Sequence, residues 1–169
     1  MLSTKPGFEE SLRVLESPVG PLELRCSPSG VRRVHFLRPQ ETPEPAAGPS
    51  PRAGEALMDR LVLQLEAYFR GTLRIFDLPL DLEGTPFRLR VWEVLRQIPY
   101  GGTASYGAVA ARIGSPRACR AVGGANHANP VGILVPCHRV MGQDGSLTGF
   151  GGGLAAKAWL LEHERTHLP

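Results

Sequence analysis

The sequence predicts an α+β protein in two parts, a small sheet-and-helix first half over residues 1–84 and a mostly helical second half over 85–169. Three observations carry this expectation. The chain opens with short alternating apolar stretches parted by Pro/Gly turns, the signature of hairpins. Apolar residues then recur at helical spacing, once in the first half and four times in the second. The charge also changes sign, because residues 1–84 hold 10 basic and 12 acidic groups while 85–169 hold 9 and 4, so −2 stands against +5.

In chain order, residues 11–17 alternate, Pro18-Val19-Gly20-Pro21 turns the chain, and 22–26 returns it. A third strand over 31–37 follows the Ser27-Pro28-Ser29-Gly30 turn, which gives a small antiparallel sheet. Residues 38–54 carry five prolines and read as an exposed loop. Leu57, Met58, Leu61, Leu65, Tyr68 and Phe69 form one face of a helix over 55–70, stopped by Gly71. Its aromatic pair, Tyr68 and Phe69, is expected in the core. Residues 73–82 are a short strand or extended link, with the domain boundary near Gly84.

Thr85-Pro86 supplies an N-cap and a first-turn proline. Phe87, Val91, Val94, Leu95 and Ile98 make the apolar stripe of that helix, with Trp92 beside it, until Pro99. Ser105 caps a short helix over 106–113, Gly114-Ser115-Pro116 interrupts it, and a further helix runs over 116–126. Two short helices so spaced suit a helix-turn-helix. The second carries Arg117, Ala118, Cys119, Arg120, Ala121, Val122, Gly123 and Gly124, small residues around two arginines. Such a surface either packs tightly on the protein's own core or enters a minor groove. A major-groove reader more commonly presents Asn, Gln or Arg to base edges. A closing helix over 154–164 is expected to bury Leu154, Ala158 and Leu161 with Trp159 nearby, and Gly151-Gly152-Gly153 before it suits a flat wall.

A chain of 169 residues with 42% hydrophobic and 21% charged content is that of a soluble globular protein. No apolar run reaches membrane-span length, and residues 1–7 lack a secretory h-region, so the cytoplasm is expected. Cys26, Cys119 and Cys137 are an odd set without CxxC spacing, which argues against a disulfide framework. Cys26 and His35 are too few for a closed zinc site, so neither metal nor cofactor is expected. The basic second half points to a polyanionic partner.

The chemistry gathers at residues 129–140, Asn-Pro-Val-Gly-Ile-Leu-Val-Pro-Cys-His-Arg-Val. Pro136 forces a turn where the thiol appears. A free cysteine is usually inert packing. Here, however, His138 can take a proton near neutral pH and Arg139 adds charge that favours thiolate.

Pro136-Cys137-His138-Arg139-Val140 closely resembles the signature of the O6-alkylguanine-DNA alkyltransferases, the methylated-DNA–protein-cysteine methyltransferases. The resemblance runs in order through Ile98-Pro99-Tyr100-Gly101, Ser105-Tyr106, Arg120-Ala121-Val122-Gly123-Gly124, Asn129-Pro130, Gly152-Gly153-Leu154-Ala155 and His163-Glu164. It implies a ribonuclease-H-like first half of structural use and a winged helix-turn-helix second half. It implies a suicidal DNA repair enzyme in which Cys137 irreversibly takes an alkyl group from O6 of guanine, or O4 of thymine, after the nucleotide flips out of the duplex.

By the same resemblance, His138 with Glu164 generates the thiolate, Tyr106 donates to the base N3, and Asn129 braces the turns. Val140, Phe150, Gly151 and Gly132 line the substrate site. Backbone acceptors of Cys137 and Val140 meet the guanine amino group, and the Gly151 amide points toward O6. Arg120 fills the gap in the stack, with Ala118, Cys119, Ala121, Gly123 and Tyr106 along the DNA. The implied partner is double-stranded DNA carrying alkylated guanine, engaged by a monomer away from membranes.

Three positions depart from relatives. Phe150 replaces a frequent tyrosine, and Gly132 stands where some relatives have proline, which together suggest a pocket roomy enough for benzyl adducts. Cys119 replaces alanine and is expected to serve packing without taking up alkyl groups. The alternative is a non-repairing alkylated-DNA-binding protein of the alkyltransferase-like type. Those proteins lack the nucleophile, which this chain has at Cys137. A cysteine hydrolase would want an oxyanion-hole signature that is missing, and a plain winged-helix regulator would leave Cys137 unexplained.

Overall fold

The computed structural model describes residues 9–45 and 52–169. The expectations for residues 1–8 and for 46–51 of the proline-rich stretch lie outside the described residues. The chain divides into two compact units, the first ending at Asp81 and the second beginning at Leu82.

The first unit is an antiparallel sheet of β1 (Ser11–Leu15), β2 (Leu22–Ser27) and β3 (Gly30–Phe36), in that order, with one helix, α1 (Arg52–Phe69). Alternation along β2 puts Leu22, Leu24 and Cys26 on one face, all fully buried. On β3 the buried apolar side chains are those of Val31, Val34 and Phe36, a spacing that breaks the period of two. The register supplies the reason: Arg25 pairs with Arg33 but Cys26 pairs with Val31, so Arg32 is an extra residue that forms a β-bulge.

Helix α1 covers this face with Leu57, Met58, Leu61, Leu65 and Tyr68, each buried. It begins at Arg52, inside the stretch expected as loop. Residues 73–82 form no strand, and only Leu80 bridges, in parallel, to Val31. Gly30 permits that approach, since a Cβ there would lie 2.7 Å from the Asp81 backbone nitrogen. On the polar side, Arg25 and Arg33 stand opposite each other. The buried Glu23 carboxylate sits between them, 2.7 Å from Arg25 and 3.0 Å from Arg33, and offsets their repulsion.

The second unit comprises α2 (Pro86–Arg96), β4 (Ala104–Ser105), α3 (Tyr106–Arg112), α4 (Cys119–His127), a 3-10 turn (Cys137–Arg139), β5 (Val140–Met141) and α5 (Leu154–Thr166). Thr85 and Ser105 cap α2 and α3 as predicted, their hydroxyls accepting from the amides of Arg88 (3.2 Å) and Ala108 (3.0 Å). Helix α2 buries Val91, Trp92 and Leu95. Trp92 is central to that face rather than beside it, and its Nε1 donates to the Ala125 carbonyl at 2.8 Å, tying α2 to α4.

Three further features differ from expectation. Helix α4 starts at Cys119, not at 116, because the chain first closes a turn from the Ala118 amide to the Ser115 carbonyl (2.8 Å), and the helix proper then begins without a side-chain cap. Strands β4 and β5 pair in parallel, Ala104 with Val140 and Ser105 with Met141. A two-residue ladder is too short to leave a periodic signal, yet it brings the start of α3 beside the residue that follows Arg139.

Helix α5 buries Ala156, Lys157, Leu160, His163 and Glu164, while Leu154 is 50% exposed, Ala158 is exposed, and Trp159 and Leu161 are half-buried. The buried stripe carries charges that are satisfied inside the protein, so hydropathy points to the wrong face. Gly153 at its N-cap has φ +87° and ψ 158°, a conformation that only glycine adopts readily. The α+β class and the order of a sheet-and-helix part before a helical part stand as predicted.

Candidate active site

Residues 131–140 are all buried, and a run of tight turns delivers the thiol. Asn129 organises them: its Oδ1 accepts from the Val131 amide (3.0 Å) and its Nδ2 donates to the Val135 carbonyl (2.8 Å). The Leu134 amide reaches back to the Gly132 carbonyl (2.8 Å) across Ile133, which has φ +71°. A β-branched residue with positive φ in a three-residue turn is strained by about 1–3 kcal/mol. Next, the Cys137 amide bonds the Val135 carbonyl (2.8 Å) across Pro136, whose fixed φ suits that turn.

Cys137 and His138 sit in the 3-10 turn, Cys137 only 6% exposed and His138 not at all. His138 Nε2 lies 2.7 Å from Glu164 Oε1 on α5. The Glu164 carboxylate also accepts from Arg139 Nε and Nη2, both at 2.9 Å, and from the Gly101 amide at 3.0 Å. Burial alone would raise the Glu164 carboxyl, but His138 and Arg139 outweigh it and hold the group well below the usual carboxylate range. Burial, only partly opposed by Glu164, pushes His138 down, so the imidazole is neutral at neutral pH.

With an ionised Glu164 as its partner, Nε2 carries the imidazole proton and Nδ1 holds a lone pair. Nδ1 is buried and has no hydrogen-bond partner among the described residues. A neutral imidazole with an unused lone pair, one residue from a thiol, has the chemistry to act as a general base.

Arg139 does not serve as the charge beside the thiol that the sequence suggested. Its guanidinium is spent on Glu164 and on the Ile98 carbonyl, 2.6 Å from Nη1. The cation felt by Cys137 is Lys157 of α5, fully buried, with Nζ 2.6 Å from the Val140 carbonyl and 2.8 Å from the Thr148 carbonyl. Burial pushes the Cys137 thiol up, while a hydrogen bond from Asn129 and the Lys157 charge pull the other way. The resting group is therefore a thiol that needs a base. Burial also pushes Cys26 up to about 12, and it is inert packing.

Two further residues were not read in the sequence. Asn126 on α4 donates to the Cys137 carbonyl at 3.3 Å, and Lys157 closes the far side. Asn126 offered no signal beyond its place four residues after Val122 on the buried face. Lys157 offered one, as one of two lysines beside 17 arginines, set in the apolar part of α5. The Cys137 carbonyl already accepts from Asn126 and from the Val140 amide, and the Val140 carbonyl from Lys157, so both have less capacity for a base than was expected.

Tyr106 heads α3, half-buried, with its hydroxyl 3.1 Å from Thr148 Oγ1. Phe150 is half-buried, Gly151 exposed and Gly132 buried. Gly151 is not hemmed in by its own protein, since a Cβ there would meet nothing within 4 Å, and among these glycines φ alone demands Gly153. On α4, Val122, Ala125 and Asn126 face inward, while Cys119, Arg120, Ala121 and Gly124 are exposed and Gly123 is half-buried. Ala118, half-buried, precedes the helix. Cys119 is thus exposed, with Sγ 3.9 Å from the Pro116 carbonyl, and it does not have the packing role expected of it. Among the described residues no three His, Cys, Asp or Glu groups could hold a metal ion, and no helix is long and apolar enough to cross a membrane.

A family model described as the DNA-binding domain of 6-O-methylguanine DNA methyltransferase matches residues 86–166, and one for the ribonuclease-like domain of the same protein matches 12–82. The chain belongs to the 6-O-methylguanine DNA methyltransferase family. Within this family it is 48% identical over 160 residues to the methylated-DNA–protein-cysteine methyltransferase of Mycobacterium tuberculosis, covering 93% of each chain. It is 45% identical over 151 residues to the protein of that name from Methanosarcina acetivorans, covering 89% of this chain and 96% of the other. The crystal structure of the M. tuberculosis O6-methylguanine methyltransferase superposes with TM-score 0.81 at 47% identity, covering 95% of both chains. A structure of the M. tuberculosis protein in complex with DNA superposes with TM-score 0.80, covering 94% of both.

Proposed function

We propose that this methyltransferase repairs DNA by moving the alkyl group from O6 of a guanine, or O4 of a thymine, to its own Cys137, irreversibly and once per molecule. The observation that carries the reading is the buried Nδ1 of His138, without a partner among the described residues and one residue along the chain from a thiol held protonated by burial. Cys137 gives its proton toward that lone pair through a bridging water. The S–C bond then forms as the C–O6 bond breaks, the electron pair passes to the guanine, and Tyr106 gives a proton to N3.

A base stacked in a duplex cannot reach a thiol that is 6% exposed, so the nucleotide must leave the stack, which costs a few kcal/mol. The exposed small-residue face of α4 supports a close approach to a minor groove, and the exposure of Arg120 on that helix supports its reading as the side chain that fills the gap. The reading includes a monomer acting on double-stranded DNA in the cytoplasm. The absent side chain at Gly132 and the hydroxyl-free ring of Phe150 support acceptance of benzyl adducts. A benzyl substrate reacting far more slowly than methyl would oppose that part.

The test is incubation with duplex DNA carrying O6-methylguanine, followed by peptide mass spectrometry. One methyl on Cys137, absent in Cys137→Ala with binding retained, is expected. Binding without any transfer by the intact protein is what an alkyltransferase-like protein would give, and multiple turnover with no modified peptide would also overturn the reading.

A further inference from the structure

The segment 142–153 between β5 and α5 is mostly exposed, yet Thr148 within it is held at both ends. Its carbonyl accepts from the buried Lys157 ammonium at 2.8 Å, and its side-chain Oγ1 donates to the Tyr106 hydroxyl at 3.1 Å. Lys157 in turn holds the Val140 carbonyl at 2.6 Å, so one buried cation ties this segment to the strand that follows the nucleophile turn. Helix α3 is tied to that same strand by the Ser105 and Met141 pairing. The Tyr106 phenol therefore stands between two fixed points, its backbone at the head of α3 and its oxygen at Thr148.

A phenol oxygen that accepts a hydrogen bond still has its own O–H to give, and the accepted bond limits where that O–H can point. From this geometry we infer that Thr148 is a positioning residue for the transfer reaction, using its hydroxyl to aim the Tyr106 O–H at the bound base while Lys157 anchors its backbone. The inference rests on the proposed role of Tyr106 as proton donor. It assigns Thr148 no contact with the alkyl group. It also gives Lys157 a use besides its charge, because the ammonium sets the height of the Thr148 hydroxyl over the phenol.

The test is the single-turnover rate of methyl transfer from O6-methylguanine duplex DNA to Thr148→Val and Thr148→Ser, each alone and combined with Tyr106→Phe. Duplex binding is measured separately in the Cys137→Ala background, and thermal denaturation confirms that each variant folds. Thr148→Val, which keeps the shape and loses the hydroxyl, is expected to slow transfer about three- to tenfold, the worth of one hydrogen bond, with binding unchanged. Thr148→Ser is expected to restore the rate, and Thr148→Val to add nothing once Tyr106 is Phe. An equal slowing by Thr148→Val in both backgrounds would show that the loop and not the phenol is disturbed, and would overturn the inference. A wild-type rate in Tyr106→Phe itself would remove the donor role and this inference with it, while one methyl on Cys137 would leave the transfer reading intact.

Discussion

The Glu164 carboxylate accepts four hydrogen bonds, from His138, twice from Arg139 and from the Gly101 amide. Glu164→Gln would leave the Arg139 guanidinium, 7% exposed, without a counter-charge, and is expected to cost about 3–5 kcal/mol in denaturant unfolding. Acid acts on the same cluster through two groups with one sign. The folded value of His138 lies below its ordinary 6.5, so the unfolded chain binds that proton first and stability falls as pH drops through the imidazole range. Glu164, also depressed from 4.5, contributes stability that is full above the carboxylate range and lost as pH falls through its folded value. Thermal midpoints are therefore expected to decline from pH 7.5 to 5.5, and His138→Gln to flatten that decline. A wild-type midpoint that stays level across the window would contradict the buried, neutral imidazole. Lys157→Met, which leaves the Val140 and Thr148 carbonyls without their donor, is expected to destabilise by about 1–3 kcal/mol and to slow the proposed transfer.

At the scale of elements, α4 separates stability from binding. A Cβ at Gly123 would meet only Tyr106 Cε1 at an ordinary 3.9 Å, and one at Gly124 would meet nothing within 4 Å. The protein's own packing does not call for either glycine, while alanine is the better helix former by about 1 kcal/mol. Gly123→Ala is expected to raise the thermal midpoint by about 2–4 °C and to weaken duplex binding, measured by fluorescence anisotropy. Unchanged affinity would remove α4 from the DNA-facing surface. The sequence made the helices and caps plain because Thr85, Ser105 and the apolar spacing act locally. It misled on the buried face of α5, whose charges are matched by partners distant in sequence. Cys137, His138 and Glu164 were legible from an ordered motif. Asn126, Lys157 and Thr148 were not, since each acts only once the 3-10 turn, α4 and α5 have met, and the strained Ile133 has no local signature at all.

For the whole molecule, the −2 and +5 charges of the two halves set an expectation for DNA binding in salt. Affinity for unmodified duplex is expected to fall steeply with salt, with a slope of about −0.9 per phosphate contacted. Arg120→Ala is expected to slow transfer while leaving that slope nearly unchanged, because the proposed role of Arg120 is inside the stack and away from phosphates. A slope reduced by a full contact would reassign it to the backbone. The depth of Cys137 bears on a different question. A reusable catalyst must hand its alkyl group on, and a thioether on a side chain only 6% exposed leaves a second nucleophile little room to reach its carbon. For a reagent consumed at first use that is no handicap. Protective capacity then becomes a headcount, with each lesion removing one copy from service and only fresh synthesis replacing it.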